Sequence, residues 1–246
     1  MAEQTTSPDT LRQNLDEVNE RITRACEHRR EDRGGGPASD VTLVAISKTH
    51  PTSAIQTLYD AGHRHFGESY VQEWQDKASE LPDDIVWHFV GHLQSNKAKY
   101  IADEIALVHS VDRKSVMKKL HRRSEERVDV LLQVNIAGQD TKSGVAPDEL
   151  LELLERSRDY PSMQVCGLMT IPPYVDDPEE NRPHFRRMRE LFEQARAWLA
   201  EHAPNDVDAF EHLSMGMTAD FEVAIEESAT IVRVGTGIFG QREYDQ

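Results

Sequence analysis

A chain of 246 residues suits one large α/β barrel, whose usual size is about 250 residues, or at most two small domains. The hydrophobic share is 38% and the formal net charge −16, which argues against a nucleic-acid binder, because that needs clustered Lys and Arg. Only Cys26 and Cys166 occur, Met1 to Asp9 is polar and acidic rather than a basic-then-apolar leader, and no run approaches the ~18 apolar residues of a membrane span, so a cytoplasmic protein without a disulfide framework is expected.

Leu11, Leu15, Val18, Ile22 and Ala25 recur at helical spacing and predict an amphipathic first helix. It should stop at the breaker Gly34-Gly35-Gly36-Pro37, which reads as a mobile surface loop. Eight β-branched runs follow, at 41–47, 63–67, 85–90, 105–111, 129–135, 165–171, 211–215 and 230–234. Helical patterns lie between them, for example at 51–61, 112–124, 147–158 and 178–202. The acidic residues Asp148, Glu149, Glu152 and Glu155 read as a solvated face. Parallel strands need such crossovers, and eight strand-helix units close economically into a (β/α)₈ TIM barrel. The expected organisation is a single domain over 1–246 with frayed ends at 1–9 and 241–246.

The first strand delivers Lys48 at its carboxyl end, the active face of such barrels. Alternation puts Val44, Ile46 and Lys48 on one side, and if that side is the interior, burial depresses the amine and makes it a nucleophile toward a carbonyl. The alternative is a strand-end lysine reaching to water. The segments Ser214-Met-Gly216-Met-Thr218 and Val234-Gly235-Thr236-Gly237 are Gly-rich strand ends, in the loops where barrels often hold phosphate; Ser214, Thr218, Thr236 and the backbone at Gly235 supply donors, unless these are plain turns. Arg233 shares its side with Ile231 and Gly235, so it either points into the barrel mouth or makes an ion pair elsewhere. His88, His92, Gln94 and Asn96 crowd the end of the third strand like a site wall. His88 and His92 straddle a glycine turn, so the shared helical face of a His-x-x-x-His zinc pair is missing, and no metal site is expected. His63 and His65 read as structural.

Taken together, Ala45-Ile-Ser-Lys-Thr-His-Pro51, Phe66-Gly-Glu-Ser-Tyr-Val-Gln-Glu73, Trp87-His-Phe-Val-Gly-His-Leu-Gln-Ser-Asn-Lys97, Lys142-Ser-Gly-Val145, Gly167-Leu-Met-Thr-Ile-Pro172 and Leu213-Ser-Met-Gly-Met-Thr-Ala-Asp220 resemble the pyridoxal 5′-phosphate (PLP) homeostasis protein family over nearly the whole chain. The resemblance implies a barrel similar to the alanine racemase N-terminal domain, with PLP as a Schiff base on Lys48. It further implies phosphate held by Ser214, Gly235 and Thr236, and Arg233 facing the pyridine nitrogen. An arginine there would disfavour ring protonation and weaken the electron sink. Ser69 stands where the family usually has Asn, which puts a direct bond to the PLP ring oxygen in doubt, and Thr218 stands where Ser is common.

The implied role is a PLP carrier or regulator without robust turnover, whose partners are PLP and PLP-dependent apo-enzymes as recipients; a monomer is the default expectation. The alternative is an amino-acid racemase using Lys48 with a groove residue such as His88 or Tyr70. Racemisation needs a second base, which alanine racemase-like enzymes take from a further β domain, and the chain ends at Gln246. A lysine-dependent aldolase is disfavoured because no carboxylate and lysine pair surrounds Lys48 within its strand.

Overall fold

The computed structural model describes residues 6–32, 41–139 and 141–241, apart from the side chains of 30–32. The eight expected runs form eight parallel strands: β1 (Thr42–Ile46), β2 (His65–Glu68), β3 (Val86–Phe89), β4 (Leu107–Val111), β5 (Val128–Gln133), β6 (Met163–Met169), β7 (His212–Ser214) and β8 (Ile231–Val234). They close into a barrel in chain order, with β8 pairing back onto β1. The (β/α)₈ architecture, with an added N-terminal helix, is therefore the fold. β2 begins two residues later than the run at 63 suggests, because Gly62 at φ 96° ends the preceding helix and His63 N–H still donates to Leu58 O.

Two apolar layers result from strand alternation. Inside the barrel, Val44, Ile46, Leu107, Leu131, Cys166, Met169 and Ile231 pack together. Outside the wall, residues of opposite parity such as Leu43, Ala45, Phe66 and Leu213 pack under the helices. Those helices are α2 (Thr52–Asp60), α3 (Val71–Ala78), α4 (Lys114–Arg123), α5 (Leu150–Ser157), α6 (Arg182–His202), α7 (Phe221–Glu226) and α8 (Thr236–Phe239), with short 3₁₀ turns before α5 and α6. β6 and β7 approach so closely at Gly167, φ 150°, that a Cβ there would lie 1.8 Å from His212 O.

The first helix, α1 (Pro8–Asp32), buries Leu11, Leu15, Val18, Ile22 and Ala25, as its periodicity predicts. It starts at Pro8, so the expected fraying does not extend to Asp9. Residues 1–5, the Gly34 to Pro37 loop and residues 242–246 lie outside the described residues. α1 is stitched to the end of the chain. Asn14 Nδ2 donates to Ile238 O at 2.8 Å, Thr6 Oγ1 donates to Phe239 O at 2.7 Å, and Arg21 grips Glu222 with two bonds of 3.0 and 2.7 Å. No helix among the described residues is long and apolar enough to cross a membrane.

Candidate functional site

Closing the barrel sets the carboxyl ends of β1 and β8 side by side, with Val44 opposite Arg233 and Ala45 opposite Val234. Val44 and Ile46 face the interior, and Lys48 continues that parity into a cavity of about 730 Å³ at the barrel mouth. Ser69, Tyr70, His92, Gln94, Gln133 and Lys142 also line it. Among the described residues its wall includes three lysines, Lys48, Lys97 and Lys142, and no Asp or Glu, an inversion of the chain's overall charge. Burial holds the Lys142 amine below its ordinary value, and its Nζ donates to Pro172 O at 2.7 Å. His92 and Gln94 thus belong to the site wall; its Nε2 takes a bond from Arg113 Nη2 at 3.2 Å, which leaves Nδ1–H to donate to Ser143 Oγ at 3.0 Å.

On the β8 side, Thr218 Oγ1 accepts from Thr236 Oγ1 and from Gly237 N–H, each at 3.2 Å. A Cβ on Gly237 would stand 3.0 Å from both Thr218 Cγ2 and Val234 Cγ1, so backbone and hydroxyls share a small notch. Gly235 is buried and opens α8, its carbonyl accepting from Ile238 N and Phe239 N, while Thr236 is exposed. Lys48, Gly235 and Thr236 are therefore drawn from opposite ends of the chain to adjacent strand ends.

Arg233 points inward. It is 4% exposed, and desolvation brings its pKa down to about 10, so it remains a cation at neutral pH. Its guanidinium donates to Ser214 Oγ at 2.6 Å and to Thr170 O at 2.8 Å. Ser214 is fully buried, and its hydroxyl also meets His109 Nδ1 at 3.0 Å. The Ser214 side chain is thus engaged inside the barrel, at a depth that spacing alone does not reveal, rather than beside Thr218 and Thr236.

Beneath Ser214 a line of histidines crosses the interior. His109 Nε2 meets His88 Nδ1 at 3.0 Å, and His88 Nε2 meets His65 Nδ1 at 3.0 Å. Burial pushes His88 down to about 3, holds His109 well below the ordinary value and lowers His65. His63, down to about 4 through burial, bonds His65 O at 2.8 Å. His88 consequently does not face the mouth, which removes it as a groove base; Tyr70 is 60% exposed at the cavity rim. His109 and Thr170 escape sequence reasoning because nothing in their local pattern marks them.

The profile of the family described as alanine racemase, N-terminal domain, matches residues 36–243. The pyridoxal phosphate homeostasis protein of Aquifex aeolicus is 44% identical over 234 residues, 94% of this chain and 97% of that protein. The chain belongs to the pyridoxal phosphate homeostasis protein family. Within the solved structures it is similar to that of PipY from Synechococcus elongatus with PLP bound, at 36% identity and TM-score 0.72, covering 88% of this chain and 100% of that one. A protein of unknown role from Bifidobacterium adolescentis superimposes with TM-score 0.84 at 33% identity, covering 94% of this chain and 95% of its own.

Proposed function

We propose that this chain binds PLP covalently through Lys48 and acts as a carrier or regulator of the cofactor inside the cell, handing it to PLP-dependent apo-enzymes. The observation that carries this reading is the juxtaposition, created only by barrel closure, of an inward lysine at the end of β1 with a buried cation and a hydroxyl-lined notch at the end of β8. The donor set fits the group. The Thr218 hydroxyl is a donor for a phosphate, and Thr236 Oγ1 and Gly237 N–H become donors to it if they exchange their 3.2 Å bonds to Thr218 Oγ1. Ser214 contributes by holding Arg233, which as a permanent donor would keep the pyridine nitrogen unprotonated. Ser69 lines the cavity beside Lys48 and offers a short hydroxyl toward the ring.

When bound, PLP supplies an electron sink for carbanions at an amino-acid α-carbon, and an arginine at the ring nitrogen weakens that sink. Catalysis of racemisation also needs a base on each face. His88 lies inside the barrel and His92 is engaged by Arg113 and Ser143, so neither histidine is a free second base at the mouth, which supports holding the cofactor over turning over a substrate. Borohydride reduction of PLP-loaded protein followed by peptide mass spectrometry should place one pyridoxyl group on Lys48. An adduct on Lys97 or Lys142 instead, or turnover of an L-amino acid to its D-isomer at about 10 per second, would overturn the proposal.

A further inference from the structure

The two residues that flank Lys48 are both gripped from outside the barrel wall by one charge cluster, buried at Glu68 and Lys77 and partly exposed at Glu73. Lys77 of α3, with its side chain 7% exposed, donates from Nζ to Ser47 O at 2.8 Å, to Glu68 Oε1 at 2.7 Å and to Glu73 Oε1 at 2.7 Å. Ser47 Oγ donates to the same Glu68 oxygen at 2.7 Å, and Thr49 N–H donates to Glu73 Oε1. Glu68 itself is fully buried, and its second oxygen, Oε2, has no hydrogen-bond partner.

Stability alone does not explain such a cluster, since replacing a buried ion pair by apolar residues is often neutral or stabilising. It coincides with local backbone strain. Thr49 sits at φ 68°, a left-handed conformation that a β-branched residue adopts only when its surroundings impose it. β1 ends at Ile46, so Lys48 lies in the turn that follows it; with Ser47 held by Glu68 and Lys77 and Thr49 N–H held by Glu73, the turn between them sets the Lys48 side chain on the cavity wall.

We propose that Glu68, Glu73 and Lys77 are a positioning clamp that locks the backbone on both sides of Lys48 and so presents its amine to the cavity in one orientation. The link to the cofactor rests on the PLP-binding reading above; the orientation of Lys48 does not. Misplacing a reacting group by about 1 Å can cost up to ~100-fold in rate, so even partial release should be measurable.

The test uses three variants of the full chain: Glu73→Ala, Glu73→Gln, and the double change Glu68→Gln with Lys77→Met, which removes the fully buried pair and leaves only the partly exposed Glu73 carboxylate without its cation. In PLP-free protein, acetylation of Lys48 by a water-soluble succinimidyl ester is measured by peptide mass spectrometry relative to Lys97. PLP attachment is followed separately by visible absorbance. Glu73→Ala should change the Lys48-to-Lys97 ratio by about threefold or more and slow PLP attachment by about tenfold. Glu73→Gln, whose amide oxygen still accepts from Thr49 N–H, should stay within about twofold of the parent on both readouts. The double variant should behave like Glu73→Ala, and it decides the matter if Glu73→Ala fails to fold. Parent-like ratios and rates in both Glu73→Ala and the double variant, or in the double variant alone where Glu73→Ala does not fold, would overturn the clamp. Parent protein that takes no PLP on Lys48 sinks the cofactor reading instead, and the acetylation ratios still judge the clamp.

Discussion

Acid should unfold this protein through its interior histidines. His88, 4% exposed between His65 and His109, has its pKa pushed down to about 3 by burial, so the folded chain keeps it neutral while the unfolded chain protonates near the ordinary value of about 6.5. Because the folded pKa is the lower of the two, its contribution is fully present above pH 6.5 and is lost as pH falls from there toward 3. The loss is about 1.4 kcal/mol per pH unit, hence about 2 kcal/mol at pH 5 for His88 alone. His63 and His109 act with the same sign, and a domain's whole stability is only about 5–15 kcal/mol. Glu68, raised by burial, works the other way, but it is common to both proteins compared. Urea unfolding of the parent and of His88→Gln at pH 7 and pH 5 isolates the effect, because the amide can bridge the neighbouring histidines without titrating. The parent should lose about 2 kcal/mol more than the variant over that interval. Equal losses in the two proteins would refute the reasoning, since His88 would then ionise alike in both states.

Three further outcomes are expected. Lys48→Ala should abolish covalent PLP attachment, read as loss of the visible band, with little change in melting temperature, because a side chain at a cavity carries little core packing. Gly167→Ala should destabilise by about 3 kcal/mol in denaturant titration, since its Cβ would enter van der Waals space of His212 O and the backbone there has φ 150°. Ser69→Asn should slow release of PLP by about fivefold in a dialysis or transfer assay, equivalent to the ~1 kcal/mol of one added hydrogen bond from a longer side chain.

Much of this architecture is legible before any coordinates. Short β-branched runs separated by helical patterns mark all eight strands, and the parity of Val44, Ile46 and Lys48 already sets the lysine on the inner side once closure is assumed. Parity, however, says nothing of depth. Ser214 and Thr218 read alike as hydroxyls in a Gly-rich stretch, yet one bonds Arg233 and His109 within the barrel and the other bonds Thr236 and Gly237 N–H at the rim. The histidine line likewise depends on register between successive strands, with Gly67 opposite His88 and His88 opposite Leu107, which no local pattern encodes. The Glu73 and Lys77 pair has the i, i+4 spacing of an ordinary surface ion pair on α3, and only tertiary packing buries it under β1 and β2.

The stitching of α1 to α8 carries a consequence for synthesis. The bonds from Thr6 to Phe239 and from Asn14 to Ile238 span 233 and 224 positions, so part of the packing of α1 waits on helices far along the chain. Until α7 and α8 are in place, the stripe of Leu11, Leu15, Val18 and Ile22 can be covered only in part, by α2, and contacts of such long range form slowly. The uncovered stripe of α1 is therefore a natural resting place for a chaperone, and closing this seam is a late step in maturation of the fold.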